Sequence, residues 1–269
     1  MSETHAESPE YRRPYADRVR HITTEEPFRW LAAGWADFRA ARVVSLAYGL
    51  IFVGAGLIIA AALFAANMIY LFVPLACGFM LMGPALTIGF YAISRDLERG
   101  EVPSFTRAVL AFRANPGPLF YIGLALLYLL LLWVRLVQLV FALSFSPAVK
   151  LDLPSLLSAT LFTPEGQMFL ALSVAMGAVI AALTFAGGAF ALPLLLDRKA
   201  GMVEAVATSW TAVAANLPAM AVWAVILVLI TAAGMAAGLV GLAVTLPLAG
   251  HATWHAYRAV VRLESGSGE

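Results

Sequence analysis

Between residues 43 and 94, and again between 205 and 257, the chain contains no aspartate, glutamate, lysine or arginine. Each stretch exceeds fifty residues, and a helix crossing the bilayer core needs about 20 apolar residues, so each is long enough for two crossings. Charged residues make up 12% of the sequence and apolar ones 62%, against about 25% and about 45–50% in soluble domains. A soluble fold is thereby excluded. Cysteine is nearly absent as well. The single Cys77 rules out an intrachain disulfide and a cysteine-cluster metal site, and its place inside an apolar run reads as a small buried thiol. No phosphate loop, dinucleotide fingerprint, metal-hydrolase signature or nucleophile–base motif occurs, which argues against an enzyme. No basic patch interleaved with aromatics points to nucleic acid.

What charge there is sits asymmetrically. Seven of the 17 basic residues, Arg12 to Arg42, precede the first apolar run. Arg95, Arg99, Arg107 and Arg113 fall in the next polar segment, Arg198 and Lys199 in a later one, and Arg258 and Arg262 at the end. Lys150 alone falls in a segment on the opposite side, and Arg135 lies inside an apolar run. The positive-inside rule then places both termini and the two basic loops in the cytoplasm.

The fold class expected is all-α: a polytopic membrane protein with spans at about 43–65, 69–93, 118–141, 167–194, 218–234 and 238–257. Residues 1–26, polar and mixed in charge, read as a mobile cytoplasmic tail rather than a cleaved leader. Residues 27–260 form one six-span domain, and 261–269 form a flexible tail. The external segment 142–165 carries Thr163-Pro164-Glu165-Gly166, which reads as a loop.

Before each predicted hairpin the same apolar spacing returns. Phe28, Leu31, Trp35 and Phe38 correspond to Val102, Phe105, Val109 and Phe112, and these to Val203, Val206, Trp210 and Val213. Spacing of i, i+3, i+7 and i+10 places four apolar groups on one stripe of a helix. Such a helix, with arginine on its other faces, suits the membrane interface plane. The chain thus reads as three parallel units, about 27–100, 101–201 and 202–260, each an elbow helix followed by a transmembrane hairpin. Span packing should use small residues, among them Gly54, Gly56, Ser173, Gly177, Gly187, Gly188 and the pair Gly234 and Gly238.

Several strings resemble a known family: Gly34-Trp35-Ala36-Asp37-Phe38, the run from Gly83 to Gly100, Thr163-Pro164-Glu165-Gly166, and Gly250-His-Ala-Thr-Trp-His-Ala-Tyr-Arg258. They are similar to bacterial predicted integral membrane proteins catalogued as the domain of unknown function 2189 family, over about residues 28–260. The resemblance implies a bacterial inner-membrane protein of about six spans and brings no established activity.

Ionisable groups at membrane depth are costly and mark candidate sites. His251, His255 and Arg258 follow i, i+4, i+7 spacing on one helix face. Three readings stand: a metal or haem site, for which two histidines are too few ligands alone; an anion or lipid-headgroup site near the cytoplasmic interface; or imidazoles that hydrogen-bond neighbouring helices. Arg135 either snorkels to the outer surface beside an interfacial Trp133 or pairs with Glu165 or Asp152. Asp96 and Asp197, related by the repeat, either cross-link elbow helices or lie on a solvated face. No cofactor is required by the residues, apart from a metal or haem at His251 and His255. The functional reading is a non-catalytic accessory, assembly or lipid- and partner-binding membrane protein, its partners being the bilayer, anionic lipid head groups and other membrane proteins. The competing class is a carrier or channel for a small solute, with a path lined by Asn67, Thr87, Thr184 or Thr231.

Overall fold

Apolar runs with few β-branched interruptions and prolines at helix starts dictate helices throughout. The computed structural model describes residues 15–145 and 152–262, and these are helical apart from one isolated bridge between Val19 and Val261. Helix α1 spans Glu26–Ala40, α2 Arg42–Ala65, α3 Phe72–Leu86, α4 Ile88–Glu98, α5 Phe105–Val109 and α6 Pro116–Ser144. They are followed by α7 Leu153–Phe162, α8 Pro164–Gly188, α9 Ala191–Asp197, α10 Met202–Ala215, α11 Leu217–Ala236 and α12 Leu242–Val260.

Five stretches are long and apolar enough to cross a membrane: Arg42–Ala65, Ile69–Glu98, Pro116–Ser144, Pro164–Asp197 and Leu217–Ala236. They agree closely with the first five predicted spans. The sixth, predicted at 238–257, is α12, which falls short of that standard because His251, Thr253, Trp254, His255, Tyr257 and Arg258 crowd its second half. Those polar groups face protein rather than lipid. Thirteen of the nineteen residues of α12 are buried, whereas only 11–28% of the most apolar window of each of the other five is. Helices α1, α2, α4 and α11 pack around it.

Two of the spans are broken near one end. Pro84 lies inside α3 and cannot donate a backbone hydrogen bond. The chain breaks at Thr87, whose hydroxyl bonds back to Gly83 O at 3.0 Å. The second break, between α8 and α9, is stitched by Ser209 of α10. Its Oγ accepts from Phe190 N at 3.1 Å and donates to Ala186 O at 2.8 Å. Hydroxyl groups thus replace the water that the bilayer cannot supply.

The predicted external loop is partly helical. Asp152 Oδ1 caps α7 by accepting from Ser155 N at 2.9 Å, and Thr163 caps α8 through Gly166 N at 3.1 Å, with Pro164 at the first helical position. The Thr163–Gly166 string is a helix start, not a loop. Lys150 lies outside the described residues.

Of the predicted N-terminal tail, residues 1–14 lie outside the described residues, and so do 263–269 of the C-terminal one. Residues 18–22 are tied down. Arg20 N donates to Val260 O at 2.8 Å and Arg262 N to Arg18 O at 2.7 Å. Asn216 holds the same segment, accepting from Ile22 N and donating to Arg20 O, while Arg18 pairs with Glu204 at 2.5 Å.

Close packing on α12 comes from glycines other than most of those expected. A Cβ on Gly34 of α1 would lie 2.5 Å from Ala252 N, and one on Gly250 would lie 2.5 Å from Phe90 Cβ of α4. Gly54, by contrast, has nothing within 4 Å, whereas Gly177 lies against the Trp133 ring and Gly234 against Thr245. Gly238 serves the α11–α12 turn with φ of +68°. Gly34→Ala should therefore destabilise the protein by about 1–3 kcal/mol, and Gly54→Ala should change it by less than about 0.5 kcal/mol. Thermal unfolding in one detergent, both variants side by side, checks the contrast.

Candidate functional site

His251 and His255 lie one turn apart on α12, and α1, α2 and α4 bring their partners. His251 is fully buried, with Ser45 Oγ 2.9 Å from Nε2 and Ser94 Oγ 2.8 Å from Nδ1. Ser94 donates its own proton to Asp37 Oδ2 at 2.7 Å, and His255 Nε2 lies 2.9 Å from the same oxygen. Because the Ser94 hydroxyl proton is committed to the carboxylate, Ser94 Oγ can only accept from His251 Nδ1–H. Ser45 is then placed to donate to Nε2, the arrangement of a neutral imidazole, which burial favours. One hydrogen-bond chain, Ser45–His251–Ser94–Asp37–His255, thus joins four helices.

The electrostatics of Asp37 follow from this packing. Burial pushes its carboxyl up, but hydrogen bonds from His255 and Ser94, with His255 alongside, bring it below its ordinary value. The spacing Ser–His–Ser–Asp also matches the distances of an activated nucleophile. Yet Ser45 is wholly buried, and neither of the two best-formed cavities touches it. The chain can carry order between helices.

Arg258 leaves this network. It turns to a second cluster at the C-terminal ends of α4, α9 and α12, where Arg95, Glu98, Arg99, Asp197, Arg198 and Arg258 line an open cavity of about 400 Å³. Arg258 pairs with Glu98 at 2.6 Å and lies 3.5 Å from Asp197. Trp254 Nε1 donates to the other Glu98 oxygen at 3.0 Å, and Tyr257 O–H donates to Asp197 Oδ2 at 2.9 Å. Arg99 sits 3.8 Å from Asp197 Oδ1. Arg95 donates to Leu196 O at 2.7 Å, while its Nε is buried without a partner.

The structure therefore splits the predicted His251, His255 and Arg258 face in two. Metal ligation through His251 would require breaking both serine bonds, and among the described residues no group of three or more histidine, cysteine or acidic side chains is gathered. Arg135 is exposed and donates to Gln138 at 3.2 Å, and among the described residues it pairs with neither Glu165 nor Asp152. Trp133 is buried against Leu81 and Ile180. Cys77 is exposed on α3, against the expectation of a buried thiol. Asp96 and Asp197 do cross-link elements: Asp96 is buried and pairs with Arg107 at 3.0 Å, and Asp197 ties α9 to α12.

Comparison with known proteins bears on the fold. Residues 71–197 match the model of the family described as Predicted integral membrane protein (DUF2189). The match runs from the start of α3 to the end of α9, so the protein is an integral membrane protein embedded in the lipid bilayer. No curated protein and no solved structure matches the chain.

Asp37, Ser45, Ser94, Glu98, Trp254 and Tyr257 were not singled out as site residues in the sequence. Their partners lie as far as 218 residues away, and the only signal, for all but Ser45, was their presence in the resembling strings. Since the Asp37 carboxyl is depressed on folding, its contribution is present above its unfolded value near 3.9 and is lost as pH falls through the lower folded value. Asp37→Asn should cost about 1–3 kcal/mol at pH 7. In a pH series of thermal unfolding, the gap between wild type and variant should close below about pH 4; a gap that widens on acidification would contradict the assignment.

Proposed function

We propose that the protein is a six-span bacterial inner-membrane protein with both termini cytoplasmic, and that it is a non-catalytic accessory protein working through lipids or partner proteins at that face. The observation behind the topology is the bond between the chain ends. Val19 and Val261 are bridged, which supports placing those two segments on one side of the membrane and hence an even number of crossings. With five apolar spans, α12, covered by the helices around it, is then read as the sixth.

The cytoplasmic segments also touch one another. Arg18 meets Glu204, Asn115 Nδ2 donates to Ala200 O at 3.0 Å, and Arg95 meets Leu196. Those segments carry nearly all the arginine, as the positive-inside rule asks. The threefold repeat is supported by α1, by α5 with the short helix after it, and by α10, each of which precedes a long span. In corresponding positions Phe28, Val102 and Val203, and again Trp35, Val109 and Trp210, are exposed, as residues dipping into the interface would be. Of the last members, Phe38 and Val213 face the bundle instead, whereas Phe112 is exposed.

The filled centre favours an accessory role over transport. Large side chains of α4, α11 and α12, Phe90, Trp223, Trp254 and Tyr257, are almost completely buried. Asn67, Thr87, Thr184 and Thr231 line neither cavity; Thr87 serves a helix break and Asn67 a turn with φ of 56°.

Two measurements test this reading. In a Cys77→Ala background, Asp152→Cys should react with an impermeant maleimide on intact cells, and Glu101→Cys only after the membrane is opened. In proteoliposomes, the purified protein should release entrapped ions and small neutral solutes no faster than empty vesicles. Protein-dependent release abolished by Thr184→Val or Thr231→Val would replace the accessory role with transport.

A further inference from the structure

The cluster at the ends of α4, α9 and α12 holds four guanidinium groups and two carboxylates, leaving two positive charges in excess. The carboxylates are fully engaged: Glu98 by Arg258 and Trp254, Asp197 by Tyr257, Arg258 and Arg99. They position arginines rather than receive a ligand. Arg258 and Arg95 are accounted for by those carboxylates and by Leu196 O. Among the described residues the Arg198 side chain makes no ion pair or hydrogen bond, and Arg95 Nε is buried without a partner. A planar fork of N–H donors left unpaired in a cavity matches phosphate oxygens.

A second cavity, apolar and of about 390 Å³, is lined by Met82, Phe112, Pro116, Leu119, Gly123 and Leu127 among others. It follows one face of α6 for roughly 16 Å at 1.5 Å per residue. Gly123 leaves open space there, with no atom within 4 Å of where a Cβ would lie. Asn115 links the two linings through the backbone: its side chain donates to Ala200 O and approaches Arg198 O at 3.4 Å, and the next residue, Pro116, lines the groove.

We infer that this pair of cavities binds an anionic phospholipid, its phosphate-bearing head group on Arg95, Arg99, Arg198 and Arg258 and one acyl chain in the α6 groove. The inference deepens the lipid-binding side of the function proposed above. It commits to a lipid because a free phosphate would use the arginines and leave the groove empty. Charge complementarity selects an anionic head group over a zwitterionic one, as basic residues at the cytoplasmic leaflet do generally.

The test is native mass spectrometry of the full-length protein released from nanodiscs holding equal amounts of phosphatidylglycerol and phosphatidylcholine. Wild type should retain phosphatidylglycerol preferentially. Arg99→Gln/Arg198→Gln should lower that preference roughly tenfold or more. These two arginines are chosen because their loss leaves no strong pair broken; Arg198→Gln alone substitutes if the double variant does not elute as a folded species. Gly123→Leu fills the groove and should reduce retention of the lipid without abolishing the arginine-dependent preference. Equal retention of both lipids by wild type, or an unchanged preference in the arginine variants, would overturn the proposal. So would a full effect of millimolar inorganic phosphate as competitor with no effect of Gly123→Leu, which would assign the arginines to a soluble phosphate compound. None of these failures would by itself produce solute flux, so the accessory reading is decided separately.

Discussion

A helix that carries His251, Thr253, Trp254, His255 and Tyr257 along one half cannot face lipid, because the bilayer offers no water to satisfy them. The arrangement of the other helices follows from that constraint. α12 goes to the centre, and α1, α2 and α4 surround its polar half with the acceptors and donors it needs. Contact and bonding alternate along the same faces. Gly34 touches Ala252, and one turn on, Asp37 reaches His255; Gly250 touches Phe90, and one turn on from Phe90, Ser94 reaches His251. Without the glycines the backbones would stand too far apart for those bonds, and without the bonds the close approach would bury polar groups at a cost of about 1–3 kcal/mol each.

The same logic governs the breaks in the long spans. Pro84 interrupts the backbone ladder of α3, and Thr87 supplies a hydroxyl at the gap. At the α8–α9 break Pro193, the third residue of α9, cannot donate to the carbonyl four residues back, at Ala189, and the Phe190 N–H is taken by Ser209 from a different helix. Both breaks precede the short helices, α4 and α9, whose ends carry Asp96 and Asp197. The bends direct those ends inward, so that Asp197 meets Tyr257 and Arg258 of α12 while Asp96 meets Arg107.

The spans were legible because apolar runs bounded by arginine are read directly from composition; five of the six have their expected positions within a few residues. α12 was legible as a helix but not as a helix covered by protein, since its sequence alone does not say what surrounds it. The site was only half legible. The spacing of His251 and His255 put them on one face, and that face does exist. Arg258, three residues further, turned out to belong to the neighbouring cluster, because its long side chain reaches the carboxylates of Glu98 and Asp197 on other helices. Asp37 and Ser94 could not be foreseen as the partners, for nothing local marks a bond across 157 or 218 residues. Arg135 and Cys77 were judged by depth alone, and depth does not decide which way a helix face turns.

Three helix C-termini converging in one place also concentrate negative partial charge, about half an elementary charge for each helix. Arginines there need no ligand to be understood, and the arginine cluster must be judged residue by residue. Arg95 answers a helix-end carbonyl, and Arg258 answers two carboxylates. Arg99 lies at the far limit of an ion pair and is half exposed, and among the described residues the Arg198 side chain makes no ion pair or hydrogen bond. If dipole neutralisation were the whole reason for the cluster, the arginine just past the end of α9 would be expected to bond the carbonyls behind it. Instead Arg95 takes the Leu196 carbonyl and Asn115 approaches the carbonyl of Arg198 itself. Among the described residues the Arg198 guanidinium is thus not spent on the helix end, and it is this placement, not the number of arginines, from which a ligand for the cluster is argued.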